Sequence, residues 1–158
     1  MIFVTVGTHY LGFERLIKKI DEIADQIDEE IIAQIGATNY IPKNITYFTF
    51  GEYENKIIKL CKNARVIVSH AGAGSILTVF YYMKPIIIIP RLKKFNECVD
   101  NHQLELAEVL KNNRNFIVLY DMKNLDTILK EAKIPDININ KKKDNRLIHF
   151  LKKTIETM

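Results

Sequence analysis

The chain has 158 residues, 47% hydrophobic and 27% charged, with a formal net charge of +4; these proportions exclude wholesale disorder and suit one domain with its own core. No apolar run approaches the roughly 20 residues of a membrane-spanning helix, and no basic stretch precedes the opening apolar residues as it would in a secretory leader. The charge is uneven: residues 141–158 hold Lys141, Lys142, Lys143, Arg146, Lys152 and Lys153 against Asp144 and Glu156, which is the whole excess, so the rest is neutral and offers no nucleic-acid-binding face.

In chain order, apolar runs alternate with segments of helical period, the pattern of a doubly wound parallel α/β sheet. Ile2–Val6 reads as the first strand. Phe13–Ile27 reads as a helix with Leu16, Ile17, Ile20, Ile23, Ala24 and Ile27 on one face. Strands at Glu30–Ile35, ended by Gly36, and Ile45–Phe50, after Pro42, come next. A helix over Tyr53–Cys61 precedes the fourth strand, Arg65–Ser69. A helix over Ala73–Tyr82, its Phe80-Tyr81-Tyr82 end read as core, leads to the fifth strand, Ile86–Ile89. That strand lies between Pro85 and Pro90 and is apolar enough to be buried on both faces.

A helix over Val99–Lys111, a sixth strand at Phe116–Tyr120 and a short helix at Leu125–Ala132 complete the domain, assigned to residues 1–135. Residues 136–158 read as a basic connector, polar from Pro135 to Asn140, and a C-terminal amphipathic helix over Asn145–Thr157. Leu147, Ile148, Leu151 and Ile155 share one side of that helix, and His149 is expected to pack there. The helix either lays this stripe on the domain or meets anionic lipid or a partner. Cys61 and Cys98 are the only cysteines; they lack metal-ligand spacing and are expected to be free thiols in a reducing cytosol.

Two turns carry chemistry. Ser69-His70-Ala71-Gly72-Ala73-Gly74-Ser75 joins the fourth strand to a helix start, and Gly7-Thr8-His9 follows the first strand. A small glycine-containing turn at a helix start presents free N–H groups and the positive end of the helix dipole to an anion. In the strand order 3-2-1-4-5-6, strands one and four are neighbours where the winding reverses, so both turns open into one crevice at the carboxyl edge of the sheet. A NAD site is not expected, because the third glycine of the dinucleotide fingerprint is replaced by Leu77.

With Lys84-Pro85, Pro90-Arg91 and Asn101-His102-Gln103 added, the chain from Met1 to about Ala132 resembles the nucleotide-sugar-binding half of the GT-B glycosyltransferases. It is most similar to the small single-domain subunits of the Alg13 and PssE kind and, at one remove, to the C-terminal domain of MurG-type family 28 transferases. The opening Ile2–His9 and the following Phe13-Glu14-Arg15-Leu16-Ile17 look like the amino-terminal signature of that group. The resemblance implies a Rossmann-like doubly wound parallel sheet forming one half of a GT-B fold.

The resemblance also implies roles for particular residues. The Gly72, Ala73, Gly74 and Ser75 turn would hold the diphosphate through backbone N–H groups and the Ser75 hydroxyl. His70, taken as the catalytic residue, would hydrogen-bond phosphate and stabilise charge on the leaving UDP. Gly7 and Thr8, with His9 in the same loop, would cover the phosphates from the other side. Phe50, Gly51 and Glu52 match the uracil pocket, and Gln103, with His102 or Asn101 beside it, matches the reader of sugar hydroxyls. Arg91 belongs to a loop, with Lys93 and Lys94, that is either solvated or in contact with diphosphate.

Thr78 stands where many relatives carry a glutamate that accepts from both ribose hydroxyls, and a threonine replaces two charge-assisted bonds with one. The donor would be a UDP-sugar, with no cofactor and, absent an Asp-x-Asp motif, no metal. The partner would be a membrane-associated, acceptor-binding subunit of the Alg14 or PssD kind. The reaction would transfer a sugar, with inversion, to a lipid-linked acceptor in exopolysaccharide or glycan biosynthesis, at the cytoplasmic face of a membrane. A non-catalytic nucleotide-binding regulatory subunit and a Rossmann-like enzyme acting alone remain the alternatives.

Overall fold

The computed structural model describes residues 1–50, 53–133 and 141–156. Six parallel strands form one sheet in the order β3-β2-β1-β4-β5-β6: β1 Ile2–Thr5, β2 Ile31–Gln34, β3 Thr46–Phe48, β4 Val66–His70, β5 Ile86–Ile89 and β6 Phe116–Val118. The helices are α1 Glu14–Ile23, α2 Tyr53–Asn63, α3 Ala73–Phe80, α4 His102–Leu110, α5 Leu125–Glu131 and α6 Lys141–Glu156. This is the order expected from the alternation of runs, with Thr5 in register with Gln34 on one side and with Ser69 on the other.

Side chains of a strand alternate between faces, and β1 divides accordingly. Ile2 and Val4 join a layer with Leu16, Ile17 and Ile20 of α1 and Leu125 and Leu129 of α5. Phe3 joins the opposite layer with α2, α3, α4 and α6. The wholly apolar β5 serves both layers, Ile87 and Ile89 in one and Ile86 and Ile88 in the other.

Several expected boundaries shift. The first helix tightens into a 3-10 turn at Ala24–Gln26, α4 begins three residues after Val99, which is exposed, and β3 is a half-exposed edge strand of three residues. The last helix starts at Lys141, four residues earlier than its apolar stripe suggests. Leu147 and Leu151 of that helix join the core beside α3, while Phe150 and Ile155 remain exposed. His149 is exposed rather than packed, because it falls on the solvent side of α6. Phe80 enters the core against Phe116, but Tyr81, one residue past the end of α3, is exposed. Cys61 and Cys98 are both buried and unpaired. The polar connector Pro135–Asn140 lies outside the described residues.

Candidate functional site

The turns after β1 and β4 meet where the sheet winding reverses. Between them lies a cleft of about 270 Å³ lined by Thr5, Gly7, Thr8, Gln34, Ile57, Gly74, Ser75, Thr78 and Val79. Gly72 is the N-cap of α3, and no side chain caps this helix. The first internal bond of α3 runs from the Ile76 N–H to the Gly72 carbonyl. The Ala73, Gly74 and Ser75 N–H groups therefore bond to no other described residue, and neither does that of Thr8. Unpaired donors at the positive end of a helix, beside a cleft, are chemically able to hold an anion.

His70 ends β4 behind these turns. Its ring is 6% exposed and wedged between two glycines. A Cβ on Gly7 would lie 2.5 Å from His70 Cε1, and one on Gly72 would overlap Nε2 and sit 2.9 Å from Cδ2. Gly7 is further constrained by its positive φ of 73°, a region that strains residues bearing a Cβ. The two glycines are thus required by the imidazole as much as by the turns. Burial, and next the nearby Arg91 charge, drive the His70 pKa down to about 3, with a backbone interaction from Thr5 opposing them. His70 is neutral at pH 7 and Nδ1 has no partner, so it can orient or donate a hydrogen bond but does not serve as a cation.

Gln34, which the sequence motifs do not single out, holds the first turn. Its Oε1 accepts from the Thr5 hydroxyl at 2.8 Å, the Val6 N–H at 3.1 Å and the Gly7 N–H at 3.0 Å. Its Nε2 donates to the Gly7 carbonyl at 2.8 Å. The signal was a single amide ending the apolar run Ile31-Ile32-Ala33, since a buried polar group needs partners.

Arg91 is neither solvated nor aimed into the cleft. It is 1% exposed, and its guanidinium donates to the carbonyls of Val6, Leu11, Gly12 and Glu97 at 2.7–3.0 Å over the face of Phe13. Four main-chain acceptors in reach explain why it turns inward. The Glu97 carboxylate, buried nearby, accepts from Arg15 at 2.8 and 2.9 Å and from the Leu92 N–H. Together these residues bind the β1–α1 loop to the β5–α4 loop.

Gln103 belongs to the same assembly, its Oε1 accepting from the Arg91 N–H at 3.1 Å. Because that partner can only donate, the Gln103 amide NH2 is the end left for another ligand. His102 lies apart from the cleft, exposed, with Asp100 and Glu105 at 3.7 and 3.4 Å. It lines a separate, larger hollow of about 520 Å³ between α4 and α6 that none of the glycine turns reaches. His9 accepts from the Leu11 N–H and stacks on Tyr10, and burial and then Arg91 lower its pKa. Phe50 is half exposed, and Gly51 and Glu52 lie outside the described residues. The Thr78 hydroxyl donates to the Gly74 carbonyl at 3.0 Å. Among the described residues no group of three His, Cys, Asp or Glu side chains converges as metal ligands.

The parallel sheet and its winding define a Rossmann-like doubly wound domain of the type that forms half of a GT-B glycosyltransferase. The glycosyltransferase family 28 C-terminal domain matches residues 1–158, and the chain belongs to that family. It is 33% identical over 104 residues to the UDP-N-acetylglucosamine transferase subunit ALG13 of Candida albicans, a match covering 66% of this chain and 32% of that protein. To the human subunit of the same name it is 32% identical over 119 residues, covering 69% of this chain. The match spans only 32% and 10% of these two relatives' lengths.

Among solved structures, the solution structure of ALG13 superposes with a TM-score of 0.58 over 96% of both chains at 16% identity. Acinetobacter baumannii MurG does so with a TM-score of 0.55 over 80% of this chain and 40% of its own, at 18% identity. These two likenesses concern the fold. Among the described residues, no helix is long and apolar enough to cross a membrane.

Proposed function

We propose that this chain is the donor-binding, catalytic subunit of a two-component glycosyltransferase. It holds a UDP-sugar while a membrane-associated partner of the Alg14 or PssD kind presents a lipid-linked acceptor, which brings the chain to the cytoplasmic face of the membrane. The observation that supports this reading is the convergence of Thr8, Gly74 and Ser75, whose N–H groups bond to no other described residue, around one cleft. Fixed N–H dipoles stabilise charge that develops on the leaving diphosphate without reorganising, and the neutral His70 ring behind them holds the two turns apart. The Gln103 amide NH2 would donate to sugar hydroxyl oxygens. The general base for the acceptor hydroxyl is assigned to the partner, and the relatives' names point to N-acetylglucosamine as the sugar.

Titration calorimetry with UDP tests the assignment, using Ser75→Asp as the discriminating variant. A carboxylate in the first turn of α3 favours the helix but repels an anion at its N-terminus. The variant should melt no lower than wild type and lose saturable UDP binding. Equal binding by both proteins, or no wild-type binding at millimolar UDP, refutes the reading. The Thr78 hydroxyl, engaged with Gly74, favours a second reading, a regulatory subunit with a weakened ribose site. In that case His70→Ala and Gln103→Ala would leave the activity of the partner complex unchanged.

A further inference from the structure

The geometry points to Gln34 as a positioning residue for the diphosphate of a bound nucleotide: one side-chain amide fixes the Gly7 peptide so that the next N–H, that of Thr8, faces the anion. This inference rests on the donor-binding reading and extends it from the turns to the strand beneath them.

β1 pairs with β2 only as far as Thr5 opposite Gln34. Beyond that point the main-chain ladder ends, with the Val6 N–H at 3.2 Å from the Gln34 carbonyl. The Gln34 side chain continues it. Its Oε1 accepts from the Gly7 N–H and its Nε2 donates to the Gly7 carbonyl, so both main-chain polar groups of Gly7 are held by a single planar amide. A lone acceptor would fix one end and leave the peptide free to flip. Gly7, at φ 73°, is the residue whose conformational freedom would otherwise be largest.

The neighbouring turn restricts the same residue from the other side. The Gly7 carbonyl would lie 2.8 Å from a Cβ placed on Gly36, and Gly36 itself has φ 55°. Gln34 is fully buried yet lines the cleft together with Gly7, Thr8, Gly74 and Ser75. Any change in its charge or donor pattern therefore acts directly below the anion.

Gln34→Glu is nearly isosteric and keeps the acceptor for Thr5, Val6 and Gly7. It loses the donor to the Gly7 carbonyl, opposes oxygen to oxygen, and puts negative charge under the site. Losing that hydrogen bond and gaining that repulsion should weaken UDP binding by about tenfold or more. Uridine, which lacks phosphate, should bind the variant and wild type alike in NMR titrations, whereas general damage to the fold would weaken both ligands. A variant that binds UDP as wild type does, or that loses uridine in step with UDP, overturns the proposal.

Hydrogen exchange on the wild-type chain decides the matter if the variant does not fold. The Gly7 amide should be protected without ligand, while the Thr8 amide gains protection only when UDP is added. An unprotected Gly7 amide, or a Thr8 amide indifferent to UDP, also overturns the proposal. A wild-type chain that binds no UDP removes the donor-binding reading and this inference with it. A chain that binds UDP but is insensitive to Gln34→Glu removes this inference alone.

Discussion

The placement of His70 makes stability depend on pH with a definite sign. A free imidazole titrates near 6.5, and the buried ring near 3. Above pH 6.5 both folded and unfolded chains hold the ring neutral, and the group contributes nothing to pH dependence. As pH falls from 6.5 toward 3, the unfolded chain takes up a proton that the folded chain refuses, so stability is lost across that window. At pH 5 the unfolded state is favoured by about 1.5 pH units of proton binding, or about 2 kcal/mol relative to pH 7.5. For a domain of this size that corresponds to about 4–8 °C in melting temperature.

Carboxylates contribute in the same direction. For Asp21, burial raises the pKa, but hydrogen bonds from Tyr40, Asn44 and Lys43 lower it more. For Glu29, the bond from Arg65 is the main cause of a lowered value. The assay is therefore a difference: thermal melts of wild type and His70→Asn at pH 7.5 and pH 5. The carboxylate contributions cancel, and wild type should lose about 2 kcal/mol more than the variant. The His70 Cε1 proton shift in wild type should also stay flat over that range. A pH-independent difference, or a ring that titrates between pH 7.5 and 5, would refute the burial argument.

Two further perturbations separate framework from contact. Arg91→Met removes four hydrogen bonds to main-chain carbonyls and the positive charge beside the buried Glu97. It should cost about 3–5 kcal/mol by urea unfolding, and a loss below about 1 kcal/mol would mean that the guanidinium does not bind the two loops as described. Thr78→Glu restores a carboxylate to an exposed position on the cleft. It should tighten both uridine and UDP by about tenfold through charge-assisted bonds to the ribose, and tightening of neither would show that the ribose lies elsewhere.

The sheet order could be read from the sequence because its strands are short, apolar and separated by helices of clear period. A one-residue slip in β1, β4 or β5 would exchange the side chains that fill its two core layers. The meeting of the two glycine turns at one cleft was legible for a related reason, since the winding of the sheet makes β1 and β4 neighbours. Arg91 and Gln34 show where such reading stops. An arginine in a polar loop resembles any solvated arginine until the carbonyls of Val6, Leu11 and Gly12, far away in sequence, are seen to converge on it. Similarly, the amide of Gln34 becomes informative only once β2 is known to lie beside β1. In both cases the meaning sits in the partner rather than in the local pattern.

Under the proposed function, these contacts make a site that would recognise charge with almost no charge among its described residues. None of the nine described residues lining the cleft is Lys or Arg, so on the proposed reading the donors there would be peptide N–H groups and hydroxyls, on turns positioned by His70, Gln34 and the glycines. The nearest buried cation, Arg91, spends its hydrogen bonds on carbonyls, yet its field reaches the site, since it depresses both His70 and His9. That division has a physical consequence. A diphosphate held there by dipoles, with a fixed positive charge behind them, would feel attraction without an ion pair to break. The donors that would stabilise the leaving group could then release it once the sugar has gone.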